Sequence, residues 1–150
     1  MKKILLLLFI TGIIAACEGP EGPMGEPGEP GQGPNRVVLD INIKKSDWQR
    51  TGGANELGSY FSASYDVPEL TSTVYNDGIV MAYIEFEGNF QTPLPYIRHY
   101  GEPQGDSEVL WSETLDYEYK TGAITFYSTP SDFVTDQTPD GAVIRLAFIW

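Results

Sequence analysis

One cysteine and one histidine occur in 150 residues, and nine basic residues face 21 acidic ones. A single thiol excludes an intramolecular disulfide framework and any cysteine-rich zinc module. The single imidazole has no histidine partner for a zinc site, and neither an H-E-x-x-H nor a G-x-S-x-G pattern is present. A formal charge of −12 excludes an ordinary nucleic-acid binder, which needs basic surface to displace counterions from phosphate. It equally opposes attraction to anionic lipid headgroups. The longest apolar run, Ile4 to Ile14, is broken by Thr11 and Gly12 and is too short to span a bilayer comfortably. With 41% apolar and 13% aromatic residues, the chain still has the material for one folded core.

What is present begins with an address. Lys2 and Lys3 precede that apolar run, and the small residues Ala15 and Ala16 lead to Cys17. A positive start, an apolar stretch and small residues are the anatomy of a signal peptide, here expected over residues 1–16. The stretch Ile14-Ala15-Ala16-Cys17 resembles the bacterial lipobox. The resemblance implies that the chain is cut before Cys17 and that its thiol is acylated. Acyl chains contributing ~0.8 kcal/mol per buried CH₂ then anchor the protein to a lipid bilayer without a transmembrane helix. Such a cut removes both N-terminal lysines and leaves seven basic against 21 acidic residues, a side-chain charge of −14.

From Gly19 the sequence reads GPE-GPM-GEP-GEP-GQG-P, five triplets with glycine in every first position. This is the collagen repeat, but five triplets provide few interchain hydrogen bonds, and Glu21, Glu26 and Glu29 would face their own copies. The expectation for residues 17–35 is therefore a monomeric, extended, polyproline II-like tether rather than a trimeric stalk. A lipobox, a short glycine-triplet spacer and an aromatic-rich β domain together resemble small Bacteroidota lipoproteins often labelled collagen-like. That resemblance implies a lipid-anchored place in the bacterial cell envelope, at the outer membrane, and it carries over Cys17 alone as a functional residue.

Residues 36–150 read as an all-β head. Val37, Leu39, Ile41 and Ile43 alternate with Val38, Asp40 and Asn42, as Phe61, Ala63, Tyr65 and Val67 do with Ser62, Ser64 and Asp66. Ile79 to Phe86 is nearly continuously apolar, which suits a central strand. Val109 to Tyr119 and Ala123 to Thr129 flank Lys120-Thr121-Gly122, a hairpin signature. Leu94 to Tyr100 is a further strand, held to a sheet edge by Pro93 and Pro95. In the last segment Ile144, Leu146, Phe148 and Trp150 share one face. Pro68 to Gly78 predicts one short helix, with Pro68 in its first turn, Asp66 and Glu69 at capping-box spacing, and Gly78 as a left-handed stop. Six or seven strands in this length predict an antiparallel two-sheet β-sandwich.

The chemistry is sparse. His99 at a strand end reads as a surface residue, and Cys17 is committed to lipid. Glu85 with Glu87, and Asp116 with Glu118, share strand faces by spacing, the arrangement of a solvated surface. Asn76-Asp77-Gly78 and Pro139-Asp140-Gly141 read as a helix stop and a turn rather than as calcium loops. No cofactor and no metal is expected. Eighteen aromatics remain in the head, and Tyr96, Arg98, Tyr100 and Trp111 lie together in the 94–119 stretch beside Glu102 and Glu113. Tyrosine and tryptophan pair a flat apolar face with a polar edge, and arginine adds a planar donor fork. Those four residues form the candidate binding surface for a glycan or a protein. The leading expectation is a non-catalytic binding head, followed by a purely structural envelope component and then by a small carboxylate-dependent hydrolase.

Overall fold

The computed structural model describes residues 33–150, which form one compact unit. The expected signal peptide, Cys17 and the glycine triplets up to Gln32 lie outside the described residues. Nine strands build two antiparallel sheets. In one, β1 (Arg36–Ile43), β9 (Ala142–Ile149), β4 (Ile79–Phe86) and β5 (Phe90–Pro93) lie side by side in that order. In the other, the order is β2 (Gln49–Thr51), β3 (Tyr60–Asp66), β8 (Ala123–Pro130), β7 (Ser107–Lys120) and β6 (Tyr96–Gln104). Among the described residues no helix is long and apolar enough to cross a membrane.

The core follows from the alternation. The β1–β9–β4 sheet turns Ile41, Ile43, Ile144, Leu146, Phe148, Val80 and Ala82 inward. Phe61, Ala63, Ile124, Phe126 and Leu115 meet them from the facing sheet. On the outer side of the first sheet, Arg145 sits in register with Asp40 and donates to it at 2.8 and 3.1 Å. That contact holds the Asp40 carboxyl below its usual range.

The short helix is present, but its ends differ from expectation. It spans only Ser72–Asp77 (α1), and its N-cap is Thr71, whose side chain accepts from the Val74 N–H. Val67 to Leu70 instead forms a turn, with Leu70 N–H donating to Val67 C=O at 2.9 Å, so Pro68, Asp66 and Glu69 do not cap the helix. Gly78 has extended backbone, φ −104°, not the left-handed conformation. Its glycine is needed for close approach: a Cβ there would lie 2.7 Å from Val74 C=O and 2.9 Å from Ile149 C=O. Two strands escape the sequence reading. β2 has three exposed residues and no apolar alternation. β5 follows a turn in which Gly88 and Asn89 both have positive φ, a hairpin signal that lies in the sequence between Phe86 and Phe90.

The two ends of the sandwich are built differently. At one, α1 and the Thr121–Gly122 turn close over the core, and Asn35 exchanges backbone hydrogen bonds with Trp150 at 2.8 and 3.1 Å. The chain therefore enters the sandwich at this end. β1 runs from it for roughly 25 Å at ~3.3 Å per residue, and reaches Ile43 at the opposite end.

Candidate functional site

β7 is the longest strand, with 14 residues, and it outruns its neighbour β8. Their pairing ends at Glu113 and Pro130, because proline has no N–H to continue the ladder. Ser131 turns away there, its N–H donating to Ser112 C=O at 2.7 Å and its Oγ accepting from Ser112 N–H at 3.0 Å. Ser107 to Glu108 and onward to Ser112 then pair with β6 alone. The facing sheet offers little cover here, since β5 has only four residues. The inner face of the β6–β7 hairpin consequently forms the floor of an open cleft, and the 131–141 connection forms part of its rim.

Tyr96, Arg98 and Tyr100 alternate along β6 on this inner face, and Trp111 stands opposite Tyr100 on β7. All four residues of the candidate surface are brought together. The Tyr100 and Trp111 rings stack with centroids 5.2 Å apart and an interplanar angle of 10°. The Arg98 guanidinium carbon lies 5.0 Å from the Tyr100 ring centre. Tyr96 packs edge-on against Phe86, centroids 5.2 Å apart, and so closes one side. The expectation that β6 is an edge strand holds, but these rings point between the sheets rather than onto the outer surface.

Polar groups fix the stack from behind. Tyr100 Oη donates to Glu113 Oε2 at 2.9 Å, and Ser128 Oγ donates to Glu113 Oε1. Ser128 is buried on β8, so this hydrogen bond satisfies a hydroxyl that would otherwise be costly to bury. Burial, reinforced by the Glu113 carboxylate, pushes the Tyr100 phenol above its ordinary range, so it stays protonated as a donor.

The cleft has two lobes that share Tyr100, Glu113, Ser128, Pro139 and Asp140. The larger, about 390 Å³, adds Trp111, Val109, Glu102, Lys45, Asp132 and Asp136. The smaller, about 280 Å³, adds Trp48, Phe86, Tyr96 and Arg98. Trp48 Nε1 donates to Asp140 C=O at 3.1 Å and Lys45 Nζ to Asp140 Oδ1 at 3.0 Å, which ties the rim to the segment after β1.

No family model, no curated protein and no solved structure matches this chain. The site is therefore read from its own geometry. His99 is exposed on the outer face of β6, opposite Ser112 and away from the cleft. Glu85 lies 3.7 Å from Arg145, while Glu87 sits in the β4–β5 turn. Asp116 and Glu118 point outward from β7, and burial with the neighbouring Glu118 charge raises the Asp116 carboxyl. Among the described residues no three His, Cys, Asp or Glu side chains converge as a metal cluster. Sequence reasoning missed Ser128, Lys45 and the 131–141 rim, because Ser128 reaches the hairpin only through the pairing of β8 with β7, and Lys45 and the rim come to it from outside the hairpin.

Proposed function

We propose that the protein is a lipid-anchored lipoprotein of the bacterial outer membrane whose β-sandwich head is a non-catalytic binding module, with a saccharide as the ligand of its end cleft. The observation that carries this reading is the stacked Tyr100–Trp111 pair beside hydrogen-bonding side chains in an open cleft. A sugar ring has an apolar face that packs on an aromatic ring and a rim of hydroxyls that need donors and acceptors. Trp111 provides the ring, and Arg98 and Glu102 provide donors and acceptors. A concave, partly polar cleft suits such a ligand better than a flat protein epitope. Both oxygens of Glu113 already accept hydrogen bonds from Tyr100 and Ser128, which fits an organising role better than acid–base catalysis. The remaining parts are the acylated Cys17, the extended monomeric tether, and a cleft at the end of the head remote from Asn35.

A glycan array probed with the full-length protein in detergent tests the reading. Trp111→Ala should weaken the binding hit by more than about tenfold while the variant stays folded. No hit at high protein concentration, or equal binding by that variant, sinks the saccharide reading. A protein array that gives the only hits moves the ligand to a protein partner. Silence on both arrays favours a structural envelope component. For the anchor, Cys17→Ser should release the protein from the membrane fraction or stall it as a precursor. Unchanged partition and unchanged mobility would remove the lipid anchor from the proposal.

A further inference from the structure

Among the described residues the two sheets have four edges, and three of them are guarded. β2 and β5 are cut short at three and four residues, and on β1 the mid-strand charge of Asp40 is tied to Arg145. β6 differs: it has nine residues, pairs on one side only, and is exposed at Ile97, Arg98, His99, Gly101, Glu102 and Pro103. Its hydrogen-bonding phase follows from Ser112 on β7. The Ser112 C=O accepts from the Ser131 N–H and the Ser112 N–H donates to Ser131 Oγ, both on the side away from β6. Ser112 thus exchanges no backbone hydrogen bond with His99 opposite it. The N–H and C=O of His99 therefore face the open side, and by alternation so do those of Ile97 and Gly101. Pro103 falls in the same phase, where its missing N–H costs the β6–β7 ladder nothing. A row of unpaired backbone groups along an exposed edge is a template for another strand.

We propose that a second copy of this chain supplies that strand, the two β6 edges running antiparallel about a two-fold axis at Tyr100. Charge selects both the occupant and the register. Arg98 and Glu102 share the cleft-facing side of β6, and neither has an ion-pair partner among the described residues. At ~3.3 Å per residue they stand ~13 Å apart, too far to meet within one strand. Pairing centred on Tyr100 sets Arg98 of each copy opposite the partner's Glu102, so both charges are matched twice by symmetry. These are non-hydrogen-bonded pairs, in which facing side chains approach most closely. His99 then exchanges backbone hydrogen bonds with the partner's Gly101, and the Ile97 N–H reaches the partner's Pro103 C=O. On the outer face the exposed Ile97 side chain meets the partner's Pro103 ring. Moving the axis to Arg98 would set two arginines face to face, and moving it to His99 would leave Glu102 opposite a tyrosine. The two five-stranded sheets become one, and the cleft floors adjoin across the axis. This pairing is independent of what the cleft binds.

Sedimentation velocity of the full-length protein in detergent, over a concentration series, reads the pairing. A reversible monomer–dimer equilibrium is expected, because a nine-residue edge is small beside standard interfaces of ~1,600 Å². Arg98→Glu should weaken it by about tenfold or more, since like charges then stand opposite each other. Adding Glu102→Arg to that variant should restore the dimer, a recovery that a misfolded protein would not show. His99→Pro should abolish pairing, because it removes an edge donor while leaving the β6–β7 ladder intact. Circular dichroism checks that this variant is folded, and if it is not, the charge exchange decides alone. A dimer insensitive to all of these changes marks shared micelles or another edge such as β1, and overturns the proposal. Loss in Arg98→Glu without recovery in the double variant overturns the register and the proposal with it. A monomer at every concentration overturns it too, and leaves the edge to a strand of a different protein.

Discussion

At the end where the chain enters the sandwich, the turn before α1 and α1 itself contribute Leu70 and Val74 to the core, and both are fully buried. At the opposite end, equally large side chains are left half-covered: Tyr100, Trp111 and Tyr96 stand on a hairpin that has outrun both β8 and β5. Strand alternation supplies the aromatics of the cleft, whereas the closed end is covered by a turn and a short helix. An inward-facing aromatic becomes core where such cover exists and cleft where the neighbouring strands stop short. Polar groups follow the same division. Among the named cleft residues, Glu113, Ser128 and Tyr100 bond to one another, whereas the closed end satisfies its backbone through Thr71, Gly78 and Gly122.

Paired substitutions can break or sharpen that contrast. Leu70→Ala at the closed end should lower stability by about 3–4 kcal/mol, measured by denaturant unfolding, because it opens a void in a fully buried site. Trp111→Ala at the open end should cost only about 1–2 kcal/mol, since part of its surface already faces solvent. Equal losses would mean the cleft is core and would abolish the distinction. Thr71→Ala should remove about 1 kcal/mol through loss of the α1 cap, with no effect on any cleft ligand.

The smallest effect belongs to neither end. Arg145 depresses the Asp40 carboxyl below 3.8, so its contribution is present above that value and is lost as pH falls through the depressed value. Asp116 behaves oppositely: burial and Glu118 raise it, so its ionisation opposes folding at neutral pH and acidification relieves that opposition. Melting curves across acid pH should therefore show Asp40→Asn flattening the loss below 3.8, and Asp116→Asn flattening the gain above it. Each change should stay under about 1 kcal/mol, as exposed charges on outer sheet faces do.

Most of the sandwich was legible because period-2 patterns survive in the chain: Ile41 and Ile43, Phe61 and Ala63, and Ile144 to Phe148 all turn inward as their spacing requires. The edge position of β6 was legible in Pro93 and Pro95. The three-residue β2 was not, since it pairs through backbone alone. α1 starts later than the Pro68 signal suggests because Val67 and Leu70 are drawn into hydrogen bonds with Gly122, far along the chain. In the cleft, clustering of Tyr96, Arg98, Tyr100 and Trp111 was visible, for they lie on adjacent strands of one hairpin. Their inward direction was not, because it depends on which face of β7 meets Phe126 and Ser128.

The mutual backbone hydrogen bonds of Asn35 and Trp150 have a mechanical consequence. A ligand held in the cleft while the chain is retained beyond Asn35 applies force from one pole of the sandwich to the other. That load runs along β1, parallel to the strand, and is resisted by the whole eight-pair register with β9. Bonds loaded in shear share the strain and must yield together, whereas a pull directed away from β9 at one end would open them in succession. Tension applied between Asn35 and the cleft therefore meets the sandwich in its resistant direction.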